Sequence, residues 1–246
     1  MRTGAIKTYT DGTIGGRTAK LAAPYADGTA DERGQWVVSP SDLRAIVREA
    51  DGAGFQVAAH AIGDEAVDAV IDAYAGESAD PSAARHRIEH AELLGDGAID
   101  RMAALGVVAS VQPNFLKWAG DDGLYDRRLG PERRKRSNPY RDLLAAGVPL
   151  AFGSDCMPLD PLLGIHHTVN APVPAQRLSV TEAIRAYTRG AAYAGFDEDR
   201  LGRIERGYCA DLVALERSPW DHPDGIRDID VTLTVVGGDI VYDGRG

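Results

Sequence analysis

The stretch FQVAAHAIGDEAVDAVIDAYAG (55–76) decides the fold. Its first six residues form a short apolar run that starts after a glycine and ends on His60, which reads as a strand. The fourteen residues from Gly63 place Val67, Val70, Ile71 and Tyr74 on one face at helical spacing and close on Gly76. A strand passing at once into a helix is a βα unit, and the rest of the chain repeats the pattern.

Upstream, AIKTYT (5–10) is a strand candidate, and SDLRAIVREADGAG (41–54) reads as a helix opening on a Ser41 cap and closing on glycines. Downstream, HRIEH (86–90), GVVASVQP (106–113) and VPLAFGSD (148–155) alternate with helical stretches at 97–106 and 138–147. Such alternation predicts an α/β protein with a parallel sheet, either doubly wound or a (β/α) barrel. TEAIRAYTRGAAYAG adds a helix from 181. ADLVALE (210–216) and VTLTVVGGDIVYDG (231–244) are β-rich, with a Gly-Gly turn at 237–238 that suits a hairpin. The expected division is an α/β part over 1–200 and a small β element over 201–246. Within the α/β part, 113–137 carries glycines, aspartates and a basic cluster at 133–136, and reads as a substrate-side loop or lid.

Composition narrows the function classes. A net charge of −10 over 246 residues disfavours a nucleic-acid partner. No apolar run is long enough to span a bilayer and no secretory h-region opens the chain, so a cytoplasmic protein is expected. Cys156 and Cys209 form no CxxC pattern, which fits a reducing compartment. Of the 27 basic residues only four are lysine, and aspartate outnumbers glutamate. That composition resembles a salt-adapted surface, though a GC-rich genome would favour the same codons.

The strand ends carry the chemistry. The five strand candidates finish at or near Lys7, His60, His90, Gln112 and Asp155. In a (β/α) barrel the working face lies at the C-terminal ends of the strands. His60, His90 and Asp155 would offer two imidazole nitrogens and a carboxylate oxygen, which suits a divalent ion such as zinc. A carboxylate beside a metal-activated water can also shuttle its proton. Each residue has a plainer reading: a strand-end histidine is often only hydrogen-bonded, and an aspartate after a strand often caps a helix. Their shared position at successive strand ends raises them above it. His86 lies deeper and is expected to be structural, His166 and His167 are candidates for the rim of the site, and His222 reads as surface. A phosphate-sugar enzyme is set aside because no Gly-rich phosphate loop follows a late strand.

The strings IKTYTDGTIGGRTA, VAAHAIGDEAVDAVIDAY, HRIEHAELL, VVASVQPNF, PLAFGSDCMPLDPLLGIH, TEAIRAYTRGAA and GRIERGYCADLVALE, in that order, closely resemble the amidohydrolase superfamily. The match is to the amidohydrolase family 3 branch, the YtcJ-like metal-dependent hydrolases, some of which are labelled exoenzyme regulatory protein. The resemblance implies part of a TIM barrel, strands four to eight, with a portion of a small β-sandwich. It implies a metal-dependent hydrolase of non-peptide C–N bonds, amide or N-formyl, acting on a small molecule with one or two ions, zinc foremost. It implies His60 and His90 as metal ligands of strands five and six, and Asp155 of strand eight as ligand and general base. Lys7 matches a strand-four lysine that in related enzymes can be carboxylated to bridge two ions. Asp11, Glu89 and Gln112 fall in family-like motifs as supporting or substrate-side residues.

One departure stands out. The family carries an HxH pair at the end of strand one, and no HxH occurs here. The expectation is therefore a site incomplete in the isolated chain. The competing expectation is a non-catalytic barrel fragment acting by association with itself or with a complementing N-terminal half, since the edge strands of a half barrel invite pairing.

Overall fold

The structure, a computed structural model, describes residues 4–245. Five strands form one sheet: β1 (Ala5–Tyr9), β2 (Gln56–Ala61), β3 (Arg87–His90), β4 (Val108–Val111) and β5 (Leu150–Phe152). All neighbours are parallel, and the order in space is the order in sequence. A doubly wound sheet reverses its order at a switch point; this one never does, so it is a segment of a (β/α) barrel.

The helices follow from the same periodicities. They are α1 (Pro40–Gly52), α2 (Asp64–Glu77), α3 (Pro81–Ala84), α4 (Ala98–Leu105), α5 (Leu124–Leu129), α6 (Pro131–Arg136), α7 (Tyr140–Ala145), α8 (Pro161–Val169), α9 (Val180–Arg185) and α10 (Ala191–Ala194). The α9 and α10 turns are continuous through a π-helical stretch at Ala186–Gly190, where the Gly190 backbone lies so close to Leu150 that a Cβ would meet its carbonyl oxygen. The cap of α1 is Ser39, not Ser41. The Ser39 hydroxyl accepts the Asp42 N–H at 3.2 Å, and Pro40 takes the first helical position, where its missing N–H costs nothing.

The two sheet faces differ. On the outer face Val57, Ala59, Ala61, Ile88, Ala109, Val111, Leu150 and Phe152 join the main core with Val47, Val70, Ile71, Tyr74 and Met102 of the helices. By strand alternation the inner face carries Lys7, Tyr9, Ala58, His60, Arg87, Glu89 and Ser110. Tyr9 at the β1 edge is 53% exposed.

A second apolar cluster sits over the C-terminal ends of the strands. Ile14, Leu21 and Tyr25 from the segment after β1 pack with Tyr125 and Leu129 of α5, and with Ile62 and Leu93 just beyond β2 and β3. Arg133 donates to the Ala23 and Pro24 carbonyls, and Arg128 pairs with Asp27. The 113–137 excursion, expected to be a loop, thus holds a 3-10 helix at Pro113–Trp118 and the short helices α5 and α6, and is bolted to its neighbour as a cap.

The C-terminal strands β6 (Leu212–Leu215), β7 (Val231–Val236) and β8 (Asp239–Asp243) form a separate antiparallel sheet. Gly237 and Gly238 both adopt positive φ (60° and 95°), the requirement of a tight two-residue hairpin. No helix among the described residues is long and apolar enough to cross a membrane.

Candidate metal centre

His60 is the penultimate residue of β2 and His90 the last of β3, and their rings meet edge-on with centroids 4.5 Å apart. The contact needs an irregularity. Along β3, alternation turns Arg87 and Glu89 inward and Ile88 outward, and would send His90 outward too. His90 and Ala91 instead adopt φ of 76° and 46°, a left-handed turn that carries the ring to His60. Phe115 backs it, stacked within 10° of parallel at 5.7 Å.

Both histidines are buried, with 6% and 7% of their surface exposed. Burial is the main reason that each ring is held below the ordinary histidine pKa, His90 down to about 3. Neutral imidazole is the form that binds metal. The His60 Nε2–H donates to the Gly12 carbonyl at 2.9 Å and lies 3.5 Å from Asp11 Oδ1, leaving Nδ1 as the bare nitrogen. An imidazole that donates one N–H to a carbonyl or carboxylate is how ligating histidines are normally oriented. His90 Nδ1 is buried with no hydrogen-bond partner. An orphaned ring nitrogen beside a second neutral imidazole is a good fit to a divalent ion.

Asp11 is 2% exposed and accepts the N–H groups of Lys20, Ile62 and Gly63 at 2.7, 3.0 and 2.9 Å. Burial nonetheless lifts its pKa to about 6. The residue thus ties the β1 exit to the β2–α2 turn behind His60. Gly63 permits the close approach, since a Cβ there would stand 2.0 Å from the Lys20 carbonyl oxygen. Glu89 accepts Arg87 Nε at 2.8 Å and the Ser110 hydroxyl at 2.6 Å. Gln112 is buried with Oε1 unpartnered, and its amide donates to the Ser110 carbonyl at 3.2 Å.

Lys7 and Asp155 are placed differently. Lys7 is exposed on the inner face, its ammonium 4.8 Å from the Tyr9 ring centroid. Desolvation lowers its pKa, Glu89 and Asp155 raise it, and Arg87 lowers it. Asp155 is exposed, in a left-handed conformation (φ 48°), and its charge reaches both Lys7 and His60. Among the described residues no three His, Cys, Asp or Glu side chains are grouped so as to hold a metal. The structure therefore brings His60 and His90 together and leaves Asp155 outside their set. Asp160, not Asp155, caps the following helix, accepting the Leu163 N–H at 3.0 Å.

The remaining histidines are elsewhere. His86 is fully buried behind the sheet, between Asp51 and the Val57 N–H. His166 and His167 lie on α8, and His222 is exposed. Sequence reasoning missed Glu92, a fully buried carboxyl close to the site. Its only signal was an acid two residues past a candidate ligand.

Fold and site define a (β/α)-barrel protein with a histidine pair at the C-terminal mouth. The sequence profile of the amidohydrolase family matches residues 1–242, and the chain belongs to that family. It is 36% identical to the putative amidohydrolase YtcJ of Bacillus subtilis over 98% of this chain and 47% of the relative. It is 28% identical to N-substituted formamide deformylase of Arthrobacter pascens over 100% of this chain and 47% of the relative. Among solved structures, a metal-dependent hydrolase from Pyrococcus furiosus superposes with a TM-score of 0.76 at 36% identity, covering 87% of this chain and 44% of that one. The chain spans about half the length of the curated relatives it matches.

Proposed function

We propose that this chain carries part of the active site of a metal-dependent hydrolase that cleaves a non-peptide C–N bond, an amide or N-formyl group, in a small molecule. The observation that carries the reading is the pair of buried imidazoles in edge contact at adjacent strand ends, one with an orphaned nitrogen. His60 and His90 would hold the ion, with zinc the best match to two imidazoles. A bound ion supplies Lewis acidity toward the carbonyl and makes water a nucleophile near neutral pH.

The chain's own groups have separate tasks. Asp11 and the Gly12 carbonyl orient the His60 ring. Asp155, exposed at the mouth, takes the proton from water and passes it to the departing nitrogen. Lys7, if its amine were carboxylated, would help hold a second ion. Glu89 and Gln112 line the inner face and shape the substrate side. The C–N preference draws support from the formamide deformylase relative.

Two imidazoles fall short of a usual zinc set, which takes three or four protein ligands. The rest would come from Asp155 after a shift of its loop, or from a complementing protein segment. A second reading, a non-catalytic barrel segment that works by association, is favoured by the absence of a three-ligand group among the described residues. Zinc titration of the full chain separates the two. The hydrolase reading expects stoichiometric binding that His60→Ala or His90→Ala abolishes, and turnover of N-formyl or N-acyl amines that Asp155→Asn abolishes. Zinc uptake indifferent to both histidine changes would refute it.

A further inference from the structure

Glu92 stands two residues past His90, and none of the chemistry above uses it. Its side chain is 2% exposed, with no lysine or arginine paired to it among the described residues. The carboxyl accepts the Tyr125 hydroxyl, the Asn138 side chain favours its charged form, and its backbone carbonyl accepts the Asn138 N–H at 2.7 Å. Burial lifts its pKa to about 7. A buried carboxyl without a cation is expensive, and a leucine would pack at lower cost.

What surrounds Glu92 is strained backbone. His90, Ala91 and Asn138 adopt positive φ of 76°, 46° and 52°. Non-glycine residues hold such conformations only where their surroundings over-determine them. The network runs on toward the His90 ring. The Tyr140 hydroxyl shares its proton between Asn138 Oδ1 at 3.1 Å and the Gln112 carbonyl at 3.3 Å, and the Gln112 side chain is among the groups that act on the His90 ring. Tyr125 belongs to the cap, so the cap reaches the site through this carboxyl.

We infer that Glu92 is a positioning residue: through Tyr125 and Asn138 it locks the left-handed His90–Ala91 turn that swings the His90 ring away from the outer face of β3 and onto His60. The inference rests on the reading of His60 and His90 as a ligand pair. Its test keeps the two apart.

The full chain is prepared in wild-type form and as Tyr125→Phe, Glu92→Gln and Tyr125→Phe/Ala91→Gly. Imidazole ¹⁵N NMR of the metal-free proteins reports the His90 tautomer, and cobalt(II) titration reports affinity. Wild type should show a single His90 tautomer. Tyr125→Phe should mix the tautomers and weaken cobalt binding by about 10-fold or more, the usual cost of losing an outer partner of a ligand. Glu92→Gln keeps an acceptor for Tyr125 and should lose less. Ala91→Gly, which takes positive φ without strain, should restore part of the loss; a purely structural role for Tyr125 would give no such rescue. An unchanged His90 spectrum in both Tyr125→Phe and Glu92→Gln overturns the inference. If Tyr125→Phe fails to fold, Glu92→Gln decides by the same spectrum. If wild type takes up no cobalt, the metal reading fails while the ¹⁵N spectra still judge the positioning role.

Discussion

Two histidines four residues apart on one short segment meet opposite fates. The His86 Nδ1 accepts the Val57 N–H at 3.0 Å, so its Nε2 carries the proton and donates to Asp51 Oδ1 at 3.1 Å. Burial, opposed by Asp51, holds its pKa below the ordinary value of 6.5, and protonation would set a second N–H against that of Val57. Below pH 6.5 the unfolded chain binds more protons at this site than the folded one, so stability rises with pH there and is lost on acidification. His86→Phe should cost about 2 kcal/mol at pH 8 by orphaning the Val57 N–H. Urea unfolding at pH 8 and pH 5 should show the gap to wild type narrowing at the lower pH; a constant gap would rule the account out. A second residue-scale expectation concerns Gly63. Gly63→Ala drives a methyl into the Lys20 carbonyl and should lower stability by about 3 kcal/mol, seen as a lower urea midpoint.

At the scale of elements, the cap is the feature that covers the strand ends carrying His60 and His90. Arg134 holds it. Its side chain is 4% exposed, donates to the Ala119 carbonyl at 3.0 Å and Asp126 at 2.8 Å, and pairs with Asp121. Arg134→Ala leaves that carbonyl and Asp126 without their partner and should cost about 3 kcal/mol. Limited proteolysis should then cut within 113–137 well before the barrel helices. A cleavage rate equal to wild type would mean that the segment opens freely and is a lid after all. The sequence pointed to this region as substrate-side but not to its helices. Six-residue helices such as α5 and α6 are too short to display a period, and the cluster they join draws its members from positions as distant as Ile14, Ile62 and Leu129.

The whole molecule leaves much apolar surface in view. In the small sheet Val213, Ile240 and Val241 are 59%, 60% and 61% exposed. Patches of this kind promote association. The double variant Val213→Lys/Ile240→Lys should reduce light scattering of concentrated protein while moving the unfolding free energy by less than about 1 kcal/mol. A large loss of stability would show that those side chains are already packed in solution.

The sequence by itself determined the alternation of strand and helix, the direction of the strands and the end of the sheet at which His60, His90 and Asp155 lie. These follow from local periodicity, because the hydrophobic pattern of each element is written in consecutive residues. It also carried the family, through ordered motifs that the comparison bore out. Tertiary structure alone decided which candidates meet. A two-residue repeat puts His90 on the wrong face, and only the left-handed turn at His90–Ala91 brings it to His60. The groups around that turn, Tyr125, Asn138 and Tyr140, lie some 35 to 50 positions downstream. Contacts between such distant residues leave no periodic trace, because they depend on how the cap closes over the barrel rather than on the conformation of either segment.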